Sequence, residues 1–218
     1  MKPDLSPLSG GLLSSVTSLL ADFEVPEAGP ALGSFSPDEK DLFAERSRSA
    51  WSHDVEARCN FEPRPRLTRR AGVWFLSLWQ KSVMGRTLSD IKADPAEITH
   101  FAAEMAGFLT QLLGSQLRSG AWAICTTPKR RHKEHNFASL ISDDIARRLG
   151  IPFYEDVALC RSRQRVGATF SLNILPAEPN VIVFDDFVTT GSTLKAMHSL
   201  LAAHGKNTLF VAGINNKL

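Results

Sequence analysis

The feature that most constrains the fold is an apolar run that leads directly into two acids and a small hydroxylated segment, VIVFDDFVTTGST at residues 181–193. Its first four residues offer no polar face, which is typical of a strand buried on both sides in a parallel sheet. Ligands bind beyond the carboxyl ends of such strands, where Asp185 and Asp186 follow. The run therefore predicts a parallel sheet and a site at its edge.

The rest of the second half of the chain fits the same architecture. Buried strands are predicted at 121–126, 153–159, 180–184 and 208–212, and helices are predicted to begin at Asp94, near Phe137 and at Ser192. Strands and helices alternate with short connections. This order predicts an α/β fold with a mostly parallel sheet flanked by helices.

A chain of 218 residues is long enough for one globular unit with a peripheral segment. We expect an N-terminal arm at 1–45, a hood or connector at 46–87 and the α/β core at 88–218. Within the connector, the aromatic-rich run 72–80 favours a strand or a buried hairpin. Five arginines between residues 58 and 70 fit either a solvated connector or a contact with an anion or nucleic acid.

Charge and cysteine content exclude several classes of protein. The 25 Lys and Arg residues against 23 Asp and Glu give a net charge of +2, too small to indicate a nucleic-acid or membrane surface. No apolar stretch reaches the ~20 residues that span a bilayer, and the N-terminus lacks a signal-peptide core. Three widely spaced cysteines suit neither a disulfide framework nor a zinc site. A soluble, cytoplasmic protein that does not bind membranes is expected.

The segment after strand 180–184 has the groups that a sugar phosphate requires. The candidate phosphate-binding residues are Thr189, Thr190, Gly191, Ser192 and Thr193. They open a helix, whose first N–H groups and dipole favour an anion. The carboxylates of Asp185 and Asp186 suit vicinal hydroxyls or Mg²⁺. Taken singly, these residues also fit an acidic strand end followed by an ordinary capped helix.

The whole run resembles the 5-phosphoribosyl-1-pyrophosphate (PRPP) signature of type I phosphoribosyltransferases. The resemblance implies that fold, with a small hood over the sheet. It also implies that Asp185 and Asp186 contact the ribose hydroxyls, and metal only indirectly through ribose or water. Residues 189–193 would hold the 5-phosphate. Phe187 is bulkier than the residue usual at its position.

Two upstream segments resemble the ComF-like (competence protein) branch of these enzymes, which is related to the amidophosphoribosyltransferases. In CTTPKRRHKEHNF, from Cys125, the resemblance implies a loop that meets pyrophosphate; a solvated basic loop is the alternative. CRSRQRVGATFSLN, from Cys160, resembles a shortened mobile catalytic loop. The candidates for the pyrophosphate side are Lys129, Arg130, Arg131, Arg163 and Arg165. The N-terminal cysteine cluster of this branch is missing, so zinc is not expected.

The function implied is transfer of ribose 5-phosphate from PRPP to a nucleobase-like nitrogen acceptor, with release of pyrophosphate and with Mg²⁺ as cofactor. Two alternatives remain open: a non-catalytic sensor of PRPP or nucleotides, and a DNA-handling accessory protein. A homodimer is compatible with the sequence. We also expect Gly191→Val to abolish PRPP binding in a folded protein, because a side chain there would occupy the phosphate space.

Overall fold

The computed structural model describes residues 57–128, 136–160 and 170–216. The strands, in chain order, are β1 (Arg58–Cys59), β2 (Arg66–Arg70), β3 (Val73–Gln80), β4 (Arg86–Thr87), β5 (Trp122–Thr126), β6 (Phe153–Tyr154), β7 (Ala158–Cys160), β8 (Phe170–Leu172), β9 (Asn180–Val188) and β10 (Asn207–Asn215). The helices are α1 (Leu88–Ala93), α2 (Ala96–Leu113), α3 (Phe137–Leu149) and α4 (Ser192–Ala202), with a 3-10 turn at Gly114–Ser119.

Six of these strands form one sheet in the order β2-β3-β10-β9-β5-β6. Only β2 is antiparallel to its neighbour, and the other pairings are parallel. The predicted α/β fold with a mostly parallel sheet is confirmed. β1 pairs with β4 and β7 pairs with β8, each as a separate antiparallel ribbon.

Both faces of the sheet are covered, as the uniformly apolar strands require. Along β9, Ile182 and Phe184 belong to the cluster that contains the buried faces of α2 and α3. Val181 and Val183 belong to the opposite cluster, which contains the buried face of α4. Each of these side chains is fully buried, and burial of that kind stabilises a fold by roughly 1.5–3 kcal/mol per side chain. Because alternate side chains of β9 pack into opposite clusters, the face of the sheet on which each side chain lies is fixed.

Helix α2 begins at Ala96, two residues after the predicted start at Asp94. Asp94 Oδ1 accepts a hydrogen bond from the N–H of Ala96 at 3.0 Å. Glu97 Oε1 accepts a hydrogen bond from Arg86 Nη1 at 2.6 Å. Arg86 also donates to Asp94 Oδ2 at 3.0 Å, so it joins β4 to the start of α2.

Two of the differences from the sequence prediction concern residues 66–80 and 153–159. Residues 66–80, assigned to the hood or connector, supply β2 and β3 of the main sheet, since β3 pairs in parallel with β10. The predicted strand 153–159 is divided into β6 and the start of β7. Asp156 adopts a positive φ of 51° between them, and a turn there interrupts the extended chain.

None of the helices in the described ranges has the length and apolar character needed to cross a membrane.

Candidate functional site

The two acids lie inside strand β9, which continues four residues beyond the predicted end at Phe184. On one side β10 accompanies the strand, with Ala212 paired to Asp185. On the other side β5 ends at Thr126, opposite Phe184. The acids therefore pass beyond the carboxyl end of one neighbouring strand while they stay paired to the other. This fixed backbone holds the carboxylates at the edge where the sequence predicted a site.

Asp185 is a partly buried carboxyl group that receives a hydrogen bond from Thr127. The Thr127 Oγ1 donates to Asp185 Oδ1 at 3.1 Å, and the Thr127 N–H donates to the carbonyl of Phe184 at 3.2 Å. Burial, together with the negative charge of Asp186, raises the pKa of Asp185 to about 8, although Thr127 and Lys92 act in the opposite direction. Asp185 is therefore mostly protonated at neutral pH in the absence of ligand.

Asp186 is held by a lysine that the sequence analysis did not identify. Lys92 Nζ, from α1, lies 2.6 Å from Asp186 Oδ2, and the Asp186 side chain is only 13% exposed. The other carboxylate oxygen accepts from the N–H of Phe187 at 2.9 Å. Lys92 also lies 4.5 Å from the ring centroid of Phe187, which stacks on Phe137 at 6.5 Å. The bulky Phe187 thus supports the lysine that pairs with Asp186.

Helix α4 opens at Gly191 without a side-chain cap, in the left-handed conformation with φ 76°. The first turn therefore leaves N–H groups for which Gly191 supplies no acceptor. Thr190 Oγ1 lies 3.0 Å from Ser192 Oγ and accepts the N–H of Ser192 at 3.4 Å. Thr189 Oγ1 accepts from Asn216 Nδ2 at 3.2 Å, and Thr193 lies in the first helical turn. The predicted phosphate-binding residues thus form one continuous turn after β9.

Gly191 has a steric reason to be glycine that does not involve a ligand. A Cβ at this position would lie 2.8 Å from Arg70 Cβ, and the positive φ would strain any other residue. Gly191→Val would therefore disturb the fold itself, and the expectation of a folded variant that has lost only its binding is wrong. The contact also shows that the end of β2 packs against the turn that opens α4.

The basic residues predicted on the pyrophosphate side, Lys129, Arg130, Arg131, Arg163 and Arg165, lie outside the described residues. The first of these segments, residues 129–131, closely follows Thr127, which contacts Asp185 at the site. The second segment joins β7 to β8, which pair through Cys160 and Phe170.

Across the described ranges, no group of three or more His, Cys, Asp or Glu residues could hold a metal ion by itself. The metal prediction depends on the carboxyl groups of Asp185 and Asp186. This donor set fits an ion such as Mg²⁺ that is shared with substrate phosphates and water, and it does not fit a closed protein cage.

No family model and no curated protein matches the chain. Among solved structures, it is similar to orotate phosphoribosyltransferase from Aeropyrum pernix, at 13% identity and a TM-score of 0.39 over 75% of this chain and 77% of the other. It is similar to adenine phosphoribosyltransferase from Saccharomyces cerevisiae, at 17% identity and a TM-score of 0.38 over 68% and 83%. Adenine phosphoribosyltransferase from Thermoanaerobacter pseudethanolicus gives 15% identity and a TM-score of 0.40 over 69% and 95%.

Similarity this distant does not by itself assign a function. The fold and the site together define an α/β protein with a carboxyl pair and an uncapped helix start at the carboxyl edge of a parallel sheet.

Proposed function

We propose that this chain is a type I phosphoribosyltransferase of the ComF-like branch, which binds PRPP at Asp185, Asp186 and residues 189–193. One observation carries the proposal: the ordered signature VIVFDDFVTTGST coincides with a buried strand, a partly buried acid pair and a helix opened by an uncapped glycine. An ordinary capped helix would explain the hydroxylated residues. It would not explain why two adjacent carboxyl groups are held at a parallel-sheet edge, where ligands bind in such folds.

The proposed chemistry needs both parts of the site. The carboxyl oxygens of Asp185 and Asp186 would hold the vicinal ribose hydroxyls, and the N–H groups of the α4 start would bind the 5-phosphate. The bond from the anomeric carbon to pyrophosphate breaks as a bond to the acceptor nitrogen forms, with inversion. Positive charge develops on the ribose ring beside the acid pair, and an ionised carboxylate there would stabilise it.

Mg²⁺, when bound with the substrate, would neutralise charge on the departing pyrophosphate. Asp185 and Asp186 would reach it through ribose or water. The basic residues at 129–131, 163 and 165 are proposed to contact the same leaving group. We further propose a cytoplasmic location, on the basis of the odd number and wide spacing of the cysteines.

A non-catalytic PRPP sensor is the second candidate, and one observation favours it. Only residues 161–169 separate β7 from β8, where the ComF-like resemblance places the mobile catalytic loop. A loop this short is less able to exclude water from the reacting centre. Such a protein would bind PRPP without turning it over.

Calorimetry with PRPP and Mg²⁺ tests the binding proposal. The variant is Asp185→Asn with Asp186→Asn, and the matched control is Asp143→Asn with Asp144→Asn, a second pair of adjacent aspartates on α3. We expect the first variant to lose PRPP binding and the control to keep it. Equal binding by both variants would refute the site.

A second assay separates the candidate functions. Release of pyrophosphate with a panel of nucleobases would select the enzyme, and binding without release would select the sensor. Salt-dependent DNA binding that survives the double change at 185 and 186, in a protein that does not bind PRPP, would select the DNA-handling alternative.

A further inference from the structure

Arg70, the last residue of β2, donates hydrogen bonds to the segment that joins β9 to α4. Its Nη1 lies 3.0 Å from the carbonyl oxygen of Val188 and 2.6 Å from that of Thr189. Its Nη2 donates to Asn215 Oδ1 on β10. All three acceptors are neutral, and Arg70 makes no ion pair with any carboxylate of the described ranges. A half-buried positive charge therefore lies behind the turn that opens α4.

These contacts determine which way the peptide groups of the turn point. The described residues contain no cis peptide bond, and a trans peptide directs its C=O and N–H to opposite sides. Because the Thr189 carbonyl points to Arg70, the N–H of Thr190 points away from it. Among the described residues, this N–H has no hydrogen-bond acceptor. Within the described part of the chain, the turn thus presents an unpaired donor on the side opposite the arginine.

The position of Arg70 is itself fixed by neighbours. Asn215 Nδ2 donates to Gln80 Oε1 at 2.8 Å, and Gln80 Nε2 donates to Ser77 Oγ at 2.9 Å. Arg70 Cβ can approach the turn because Gly191 has no side chain, since a Cβ there would lie 2.8 Å away. Asn215 of β10, itself held by Gln80 of β3, therefore fixes the guanidinium in contact with the turn.

We propose that Arg70 is a positioning residue that holds the Thr189–Thr190 peptide with its N–H turned outwards, ready to bind a phosphate monoester. The inference deepens the proposed function and rests on it for the ligand. Arg70 acts through the backbone of the turn, and its charge, which no carboxylate of the described ranges neutralises, adds attraction for the anion. A preformed turn would not have to be ordered when the ligand binds, so affinity is gained.

Titration of ribose 5-phosphate into the full-length protein tests this role, because this ligand has the monoester phosphate and no pyrophosphate. Arg70→Met should weaken its binding by about tenfold or more. The matched control is Arg69→Met, which removes the same charge one residue away, at an exposed side chain that lies 5.9 Å over the Trp74 ring. We expect the control to change affinity by less than about threefold.

Arg70→Lys separates position from charge. Lysine keeps the charge and lacks the planar fork that contacts two carbonyls at once. It should therefore recover only part of the loss. Full recovery by Arg70→Lys, or an equal loss in Arg69→Met, would show that charge alone acts and would overturn the proposal.

Amide hydrogen exchange of the ligand-free protein gives a readout that does not depend on binding. Arg70→Met should speed exchange in residues 188–193 and leave α3 unchanged; unchanged exchange in the turn would overturn the proposal. If α3 also exchanges faster, the change has damaged the fold, and Arg70→Gln takes its place with the same expectations. A wild-type protein that binds neither ribose 5-phosphate nor PRPP would refute the proposed function, and exchange would still decide whether Arg70 orders the turn.

Discussion

Replacing Asp185 by asparagine should stabilise the ligand-free protein while it weakens PRPP binding. The folded pKa of Asp185 is about 8 against an ordinary value of 3.8, mainly because the group is buried. Between these values the folded state keeps a proton that the unfolded state has lost. Stability of the wild type therefore falls as pH rises from about 4 to 8, and it changes no further above pH 8 on account of this group.

The size of the effect follows from the width of that pH window. Between pH 3.8 and pH 7, ionisation of Asp185 stabilises the unfolded state relative to the folded state by about 1.36 kcal/mol per pH unit, or about 4 kcal/mol in all. Asparagine does not ionise, and its amide oxygen can still accept the hydrogen bond from Thr127. Asp185→Asn should thus raise the free energy of unfolding by up to about 4 kcal/mol at pH 7, and by less where water reaches the site.

Urea unfolding of both proteins from pH 5 to pH 9 measures this difference. The stability advantage of Asp185→Asn should grow by up to about 1.4 kcal/mol per pH unit and level off above pH 8. Asp143→Asn serves as control, because Asp143 is an exposed carboxylate paired with Arg147 on α3. Its effect should not vary in this window. A variant at position 185 that is less stable than wild type at pH 8, or a difference that does not depend on pH, would refute the reasoning.

Three further substitutions test other contacts by urea unfolding. Lys92→Met should cost about 1–3 kcal/mol because it leaves the largely buried Asp186 unpaired, and Lys92→Arg should cost less; equal losses would contradict the ion pair. Gly191→Ala should cost about 1–3 kcal/mol more than Gly205→Ala, since both glycines have positive φ but only the first lies against other atoms; equal costs would exclude the contact with β2. Phe101→Ala should cost about 3–5 kcal/mol because Phe101 is fully buried, and a loss under about 1 kcal/mol would contradict that burial.

Most of the fold could be predicted because local patterns report burial directly. The apolar run 181–184 predicts a two-sided strand, and the buried positions of α2 follow its three- and four-residue spacing. Strand limits were less predictable. The acids at 185 and 186 lie within β9 because β10 accompanies them, and no pattern in their own residues indicates that pairing.

The candidate site divides in the same way. Asp185, Asp186 and residues 189–193 were identified from one continuous segment, in which strand, acids and helix start are neighbours in the chain. Lys92, Thr127 and Arg70 were not identified as their partners, because each comes from a different element. A lysine, a threonine or an arginine in isolation is usually an ordinary surface or loop residue. Only its position next to the acids or the turn gives it a role.

The sequence by itself indicated most strands and helices of the second half of the chain, since the periodicity of apolar residues decides which side of each element is buried. It also determined where the acid pair and the hydroxylated turn lie. Only the tertiary structure decided that β3 joins the main sheet and that Arg70 reaches the carbonyl of Thr189, 119 residues away. Contacts of this kind depend on how strands align across the sheet, and that alignment is settled by the packing of the whole core.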